Sequence, residues 1–298
     1  MKYREIKATL PKDISEEFNA FLDDLQTLGY YEILFDPTIP KKGDEIISDF
    51  TNIKIYLQEE KLEDELKIIV FLKIHAPDSS FTESRIIETN DYMTAYQEYY
   101  KPFAIGNFTV ISVWDKGKEI TDRQKHALYI NPGLAFGTGH HETTKLMLDR
   151  MSVVVKPGMR ILDAGTGSGI LAVAAGILGA KEIVAFDIDP NATNSAEYNW
   201  SQNDVSESSA LFLEGGFDLP EAVSQDFDLV LMNITYAVIH ANIELIAAIR
   251  TNRILMSGII TERREEIISE MKEYGFDVEM TEEYNGWTII DFIKKEKV

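Results

Sequence analysis

The chain has 298 residues, no cysteine and a formal net charge of −21, from 50 acidic against 29 basic side chains. That length allows two domains with separate cores, and the missing thiols exclude disulfides and thiolate chemistry. The acid excess runs through both halves, with 10 basic and 16 acidic side chains in 1–75 and 15 and 27 in 121–298, which argues against nucleic acid as the main substrate because neutralised phosphates supply most sequence-independent affinity. A basic partner suits such a surface better.

Residues 1–5 lead into alternating sequence rather than an apolar signal core. No apolar run reaches the roughly 18 residues of a membrane span. The expectation is a cytoplasmic protein with no membrane partner.

Residues 3–10 alternate as a strand. Ile14, Phe18, Phe21, Leu22, Leu25 and Leu28 share one helical face, with Gly29 where that helix should end. Strand-like runs follow at 30–35, 53–57 and 66–74. Together they predict a small α+β unit over residues 1–75, most economically a ferredoxin-like sandwich. Residues 77–90 read as polar and irregular. From Asp91 to Trp114 an aromatic-rich stretch reads as a connector with a candidate helix, so 76–117 is the expected linker and 118–298 the larger domain.

In that larger domain, a glycine-rich loop over 131–145 runs into a helix whose Thr143 and Thr144 offer hydroxyls and backbone N–H groups to a ligand. Within the loop His140 and His141 lack the i, i+4 spacing of a zinc-binding helix, so they read as lid residues, and no metal is expected. Strands are expected at 160–163, 183–187, 210–213, 227–233 and 254–258, alternating with helices, which predicts a doubly wound, mainly parallel α/β sheet. Asp189-Pro190 suits a helix start. After a helix over 262–274, the runs 276–282 and 286–293 are joined by Asn285-Gly286, a hairpin signal.

The most informative stretch is Ile161-Leu-Asp-Ala-Gly-Thr-Gly-Ser-Gly169, followed by a strand ending at Asp187. An apolar strand delivers Asp163 to a sharp turn, and Gly165, Gly167 and Gly169 let the backbone approach a ligand. Ile170–Leu178 then reads as a helix. The Asp187 carboxylate can accept two hydrogen bonds from a ribose diol. A dinucleotide fingerprint would place glycine where this chain has Ile170. The earlier third glycine suits a ligand without pyrophosphate and resembles motif one of class I methyltransferases, pointing to S-adenosylmethionine. A nicotinamide cofactor and a turn without ligand are the alternatives.

In an open α/β sheet the crevice lies beyond the carboxyl ends of the strands, so Asn233-Ile-Thr-Tyr236 should face cofactor and acceptor. The Asn233 amide can hold an amine without stabilising its protonated form as a carboxylate would. Asn233 and Tyr236 are therefore the candidate catalytic side chains, with Thr144, Asp163, Gly165, Gly167, Gly169, Asp187 and Asn233 as cofactor-binding candidates.

Pro132-Gly-Leu-Ala-Phe-Gly-Thr-Gly-His-His-Glu-Thr-Thr144, the 163–169 turn, Asp187-Ile-Asp-Pro190 and Asn233 together resemble the PrmA family of ribosomal-protein lysine methyltransferases. The resemblance covers nearly the whole chain. It implies a seven-stranded Rossmann-like sheet ending in an antiparallel hairpin, behind a small substrate-recognition domain. It implies S-adenosylmethionine as cofactor and, as substrate, amino groups of large-subunit ribosomal protein eleven, free or ribosome-bound. By motif match it assigns cofactor contacts to Thr144, Gly165, Asp187 and Asn233. Two departures stand out: Tyr92 and Tyr96 where tryptophans are usual, and Ile-Thr-Tyr after Asn233. The second lies beside the expected acceptor pocket and bears on which molecule is methylated, a different protein or a small-molecule amine being alternatives, with cofactor binding without turnover a third.

Overall fold

In the computed structural model, residues 2–25, 27, 29–32, 50–81, 84–88, 100–120, 125–132, 139–205 and 207–294 are described. The chain divides into two units, Met1–Tyr100 and Lys101–Val298.

The first unit grows from the alternation in β1 (Lys2–Pro11), which buries Ile6, Ala8 and Leu10. α1 (Ser15–Asp24) places Phe18 and Leu22 on that core. β2 (Gly29–Glu32) and β3 (Phe50–Gln58) follow, then α2 (Leu62–His75), β4 (Ser80–Phe81) and β5 (Arg85–Glu88). The antiparallel order is β2-β3-β1-β4, with β5 also on β1, the ferredoxin-like arrangement. Glu5, 4% exposed, pins this sheet by accepting from Arg85 Nε at 2.7 Å and the Tyr56 hydroxyl at 3.0 Å.

Three expectations for this unit change. The run 66–74 is helix α2 rather than a strand. Its apolar residues fit periods of 2 and 3.6 equally, but Ile68 and Leu72 are buried four residues apart, while Leu66, Val70 and Ile74 are exposed. Acidic Glu63, Asp64 and Glu65 at its start and Lys73 and His75 at its end complement the helix dipole. Helix α1 ends at Asp24, before Gly29, which opens β2 instead. Residues 77–90 are not all irregular, because β4 and β5 extend the sheet past residue 75.

The second unit starts earlier than residue 118. β6 (Phe103–Ile105) and β7 (Phe108–Ser112) form a hairpin, and β7 pairs in parallel with β8 (His126–Ile130). Phe108, Val110 and Ile111 are fully buried, so this stretch is sheet where a connector was expected. The candidate helix over 91–99, with Tyr92 and Tyr96, lies outside the described residues.

The main sheet follows from continuous apolar runs, the mark of strands covered on both faces. After α3 (Glu142–Val154) come β9 (Arg160–Ala164), α4 (Ile170–Ile177), β10 (Glu182–Asp187), α5 (Pro190–Ser201), β11 (Ser209–Glu214) and a one-turn α6 (Pro220–Val223). β12 (Asp226–Phe227), β13 (Leu229–Asn233), α7 (Tyr236–Ala241), α8 (Ile243–Ala248), β14 (Arg250–Thr251) and β15 (Arg253–Ile260) continue it. α9 (Arg264–Glu273) then leads into the hairpin of β16 (Phe276–Tyr284) and β17 (Trp287–Lys294). The order is β11-β10-β9-β13-β15-β17-β16, parallel from β11 to β15 and antiparallel in the last two strands. Asn285 (φ 50°) and Gly286 (φ 82°) take the positive angles of a type I′ turn. Asp228 separates β12 from β13, so the expected strand 227–233 is two short ones.

Helix α3 packs on β15 and β17. There Asp291, fully buried on β17, accepts from Arg150 Nε at 2.8 Å and from Arg253 Nε at 2.9 Å. No helix among the described residues is long and apolar enough to cross a membrane. Chain order reverses between β9 and β13, which puts the ligand crevice beyond the carboxyl ends of β9, β10 and β13.

Candidate active site

Asp163 organises the turn after β9. Its Oδ2 accepts from the Thr166 hydroxyl at 2.7 Å and the Ala172 backbone N–H at 3.1 Å, tying the turn to the first turn of α4. Burial pushes its carboxyl up to about 7, against those two hydrogen bonds and with a smaller upward push from Asp187. Oδ1 is buried without a partner.

The glycines of this turn answer to the protein first. A Cβ on Gly165 (φ 73°) would overlap Ile234 Cγ2, and one on Gly169 would lie 2.7 Å from Ala196 Cα on α5. The pattern read as close approach to a ligand is thus also a packing requirement on two sides. Gly167 instead lends its N–H to Asp187 Oδ2 at 2.9 Å.

Asp187 ends β10, beside the β9 turn. Its Oδ1 accepts from the Asp189 N–H at 3.0 Å, so each carboxylate oxygen is oriented by one main-chain donor. A carboxylate has about four acceptor sites, which leaves capacity for a diol. Asp189 caps α5 through Asn191 N–H at 2.8 Å, with Pro190 in the first turn, as the sequence indicated.

Asn233 ends β13 and Thr144 lies fully buried in the first turn of α3. Asn233 Nδ2 donates to Thr144 Oγ1 at 3.4 Å. Asn233 Oδ1 is buried with no hydrogen-bond partner. The loop motif and the strand end, 89 residues apart, therefore meet where the topology puts the crevice.

Residues 133–138 of the loop motif lie outside the described residues. The two histidines are placed. His141 is the N-cap of α3: its Nδ1 accepts from the Thr143 N–H at 3.3 Å and sits 2.8 Å from Thr143 Oγ1, while Trp287 meets the ring edge-on at 4.8 Å. His140 packs on Phe103 with centroids 4.0 Å apart, and burial drives its pKa down to about 4. Burial likewise lowers His141. These are packed residues, where a flexible lid was expected. Among the described residues no cluster of His, Cys, Asp or Glu has the makings of a metal site.

Sequence reasoning missed a contact at the rim. Asn285 Nδ2 donates to Glu142 Oε1 at 3.3 Å, seating the hairpin turn on the start of α3; nothing in local sequence pairs positions 142 and 285. Tyr236 goes the other way: its hydroxyl donates to Glu266 on α9 at 3.0 Å, with Arg263 over its ring at 4.4 Å and His240 stacked at 5.6 Å. The Glu266 bond ties Tyr236 to α9, while Thr144, Asp163, the glycine turn, Asp187 and Asn233 gather at the strand ends.

The sequence matches the model of the family described as ribosomal protein L11 methyltransferase (PrmA) over residues 2–295. A ribosomal protein L11 methyltransferase from Leptospira interrogans is 48% identical over 299 residues, covering 99% of this chain and 100% of that protein. One from Carboxydothermus hydrogenoformans is 36% identical over 209 residues, 68% of this chain and 66% of that protein. A crystal structure of ribosomal protein L11 methylase from Lactobacillus delbrueckii subsp. bulgaricus aligns with a TM-score of 0.57 at 27% identity, covering 66% of this chain and 100% of that one. Together with the sheet order β11-β10-β9-β13-β15-β17-β16, these matches make the chain a member of the PrmA family of class I, S-adenosylmethionine-dependent methyltransferases.

Proposed function

We propose that this chain methylates amino groups of ribosomal protein L11, on lysine side chains, the N-terminus or both. Family membership supports the substrate, and the observation that carries the chemistry is the buried, unpaired Oδ1 of Asn233 beside Thr144. An unsatisfied buried acceptor costs about 1–3 kcal/mol; an incoming N–H relieves it.

The residues fit the methyl donor. Asp187, oriented by two main-chain N–H groups, is suited to a ribose diol, and the 165–169 turn and Thr144 border the same strand ends. When bound, S-adenosylmethionine supplies an activated methyl group on a sulfonium. The protein's share is alignment and desolvation. A lysine amine with pKa about 10.4 must be presented neutral, which costs roughly 4–5 kcal/mol at pH 7. Asn233 Oδ1 accepts from the amine N–H while leaving the nitrogen lone pair free, and its lack of charge does not favour the ammonium. Thr144 holds the amide in place. Ile234 adds an apolar wall, and the amine proton leaves to solvent. We assign recognition of the protein substrate to the Met1–Tyr100 unit and the site of action to the cytoplasm, where a ribosomal substrate resides.

The test is transfer of labelled methyl groups from S-adenosylmethionine to purified L11, with mass spectrometry to locate them. Label on L11 amino groups is the expected result; no label on L11, or label away from its amino groups, would overturn the proposal. S-adenosylmethionine at 100 times its Kd should also add about 2.7 kcal/mol of stability, and NAD none.

A further inference from the structure

Ile234, the residue after Asn233, is clasped from both neighbouring strands. On the β9 side, a Cβ at Gly165 would overlap Ile234 Cγ2. On the β15 side, a Cβ at Gly258 (φ 87°) would overlap the Ile234 carbonyl oxygen and lie 2.7 Å from its C and 2.8 Å from its N. Gly258 stands in the bulge where β15 shifts register against β17, between Met256 and Ile259. The residue before it, Ser257, pairs with Asn233 across the sheet and donates to the Thr288 carbonyl at 2.8 Å. The bulge therefore sits at the level of the Asn233 amide and lets the chain leave β13 against bare backbone.

We infer that Gly258 and Ile234 are positioning residues for methyl transfer: the glycine clasp fixes the peptide after Asn233 and thereby aims its Oδ1 at the acceptor amine. The inference rests on the amine-holding role of Asn233 proposed above. Neither residue needs to touch the reacting atoms. The two glycines act differently. At Gly165 the steric obstacle is a side chain, so shortening Ile234 relieves it, the Ile234 Cβ lying 3.9 Å from the added carbon, while the cost of a side chain at φ 73° remains. Gly258 excludes one because of main chain, which no substitution at 234 removes.

The experiment compares kcat, KM for L11 and Kd for S-adenosylmethionine in wild type, Gly258→Ala, Gly165→Ala, and each combined with Ile234→Ala. A misplaced amide should lower kcat about 100-fold in both single glycine variants, with KM for L11 within about threefold of wild type. Ile234→Ala should raise kcat of Gly165→Ala by about threefold or more, short of wild type because the strain at φ 73° stays, and leave Gly258→Ala unimproved. Near-wild-type kcat in Gly258→Ala, or no rescue of Gly165→Ala, overturns the inference. If Gly258→Ala does not fold, the Gly165 pair decides alone. A wild type inactive on L11 removes the proposed substrate and the inference with it; an active wild type with an unimpaired Gly258→Ala removes only the inference.

Discussion

Asn233 and Thr144 meet at the carboxyl ends of the strands, the amide nitrogen of one donating to the hydroxyl of the other at 3.4 Å while the amide oxygen stays buried and unpaired. An uncharged acceptor in that position suits a neutral amine. Asn233→Asp, which adds charge with little change of shape, should stabilise the ammonium instead. The expected outcome is a turnover lowered about 100-fold at pH 7, with the pH–rate profile displaced to more alkaline pH. Profiles of kcat from pH 6 to 10 on L11 check this; coincident profiles would contradict it.

Thr144 fixes which way the amide faces. Thr144→Val keeps the buried shape and deletes the hydroxyl, so about 0.5–1.5 kcal/mol of orientation should be lost, read as a fall in kcat of about tenfold or less. Thr144→Ser retains the oxygen and should stay close to wild type. Equal losses in the two variants would assign the effect to packing.

The Arg150–Asp291–Arg253 cluster ties α3, the helix that carries Thr144, to β15 and β17. Asp291 is fully buried and holds guanidiniums from α3 and β15. Asp291→Ala leaves both without their anion, and the expected loss is about 3 kcal/mol, because the arginines keep some access to water. Urea unfolding measures it. S-adenosylmethionine should still bind under folding conditions, since the cluster lies outside the strand-end crevice.

Asp163 makes stability depend on pH in the less common direction. Its folded pKa is raised to about 7 by burial, whereas an exposed Asp titrates near 4. Below pH 4 both states hold the proton. Between pH 4 and 7 the unfolded chain has lost it and the folded chain keeps it, so stability falls as pH rises, by up to about 4 kcal/mol once above pH 7. Asp163→Asn removes that slope: relative to wild type, its stability should improve from pH 4 to pH 8, measured by urea unfolding at both. A difference constant with pH would contradict the assignment.

Much of this was legible in the sequence for physical reasons. Strands covered on both faces must be apolar throughout, so β9, β10, β13 and β15 announced themselves, and Asn285-Gly286 marked the hairpin because its turn needs two positive φ angles. That Asp163, Asp187 and Asn233 stand at strand ends was legible because each closes an apolar run, and strand ends are where an α/β sheet binds ligands. What failed was ambiguous locally. The 66–74 run fits two periods, and only the burial of Ile68 and Leu72 against the first sheet settles on a helix. The start of the second unit was placed too late because β6 and β7 find their partner only at β8. The glycines of the turn were read for a ligand's approach, and their contacts with Ile234 and Ala196 could not be read from local sequence. Gly258 and the Glu142–Asn285 contact were invisible because their reasons lie in distant parts of the chain.

The most direct measurement is single-turnover methyl transfer to L11 by Asn233→Ala at saturating S-adenosylmethionine. If the amide oxygen holds the acceptor amine, the first-order rate constant falls about 100-fold, equivalent to about 2.7 kcal/mol of transition-state stabilisation. A rate constant equal to wild type under the same saturation would contradict it.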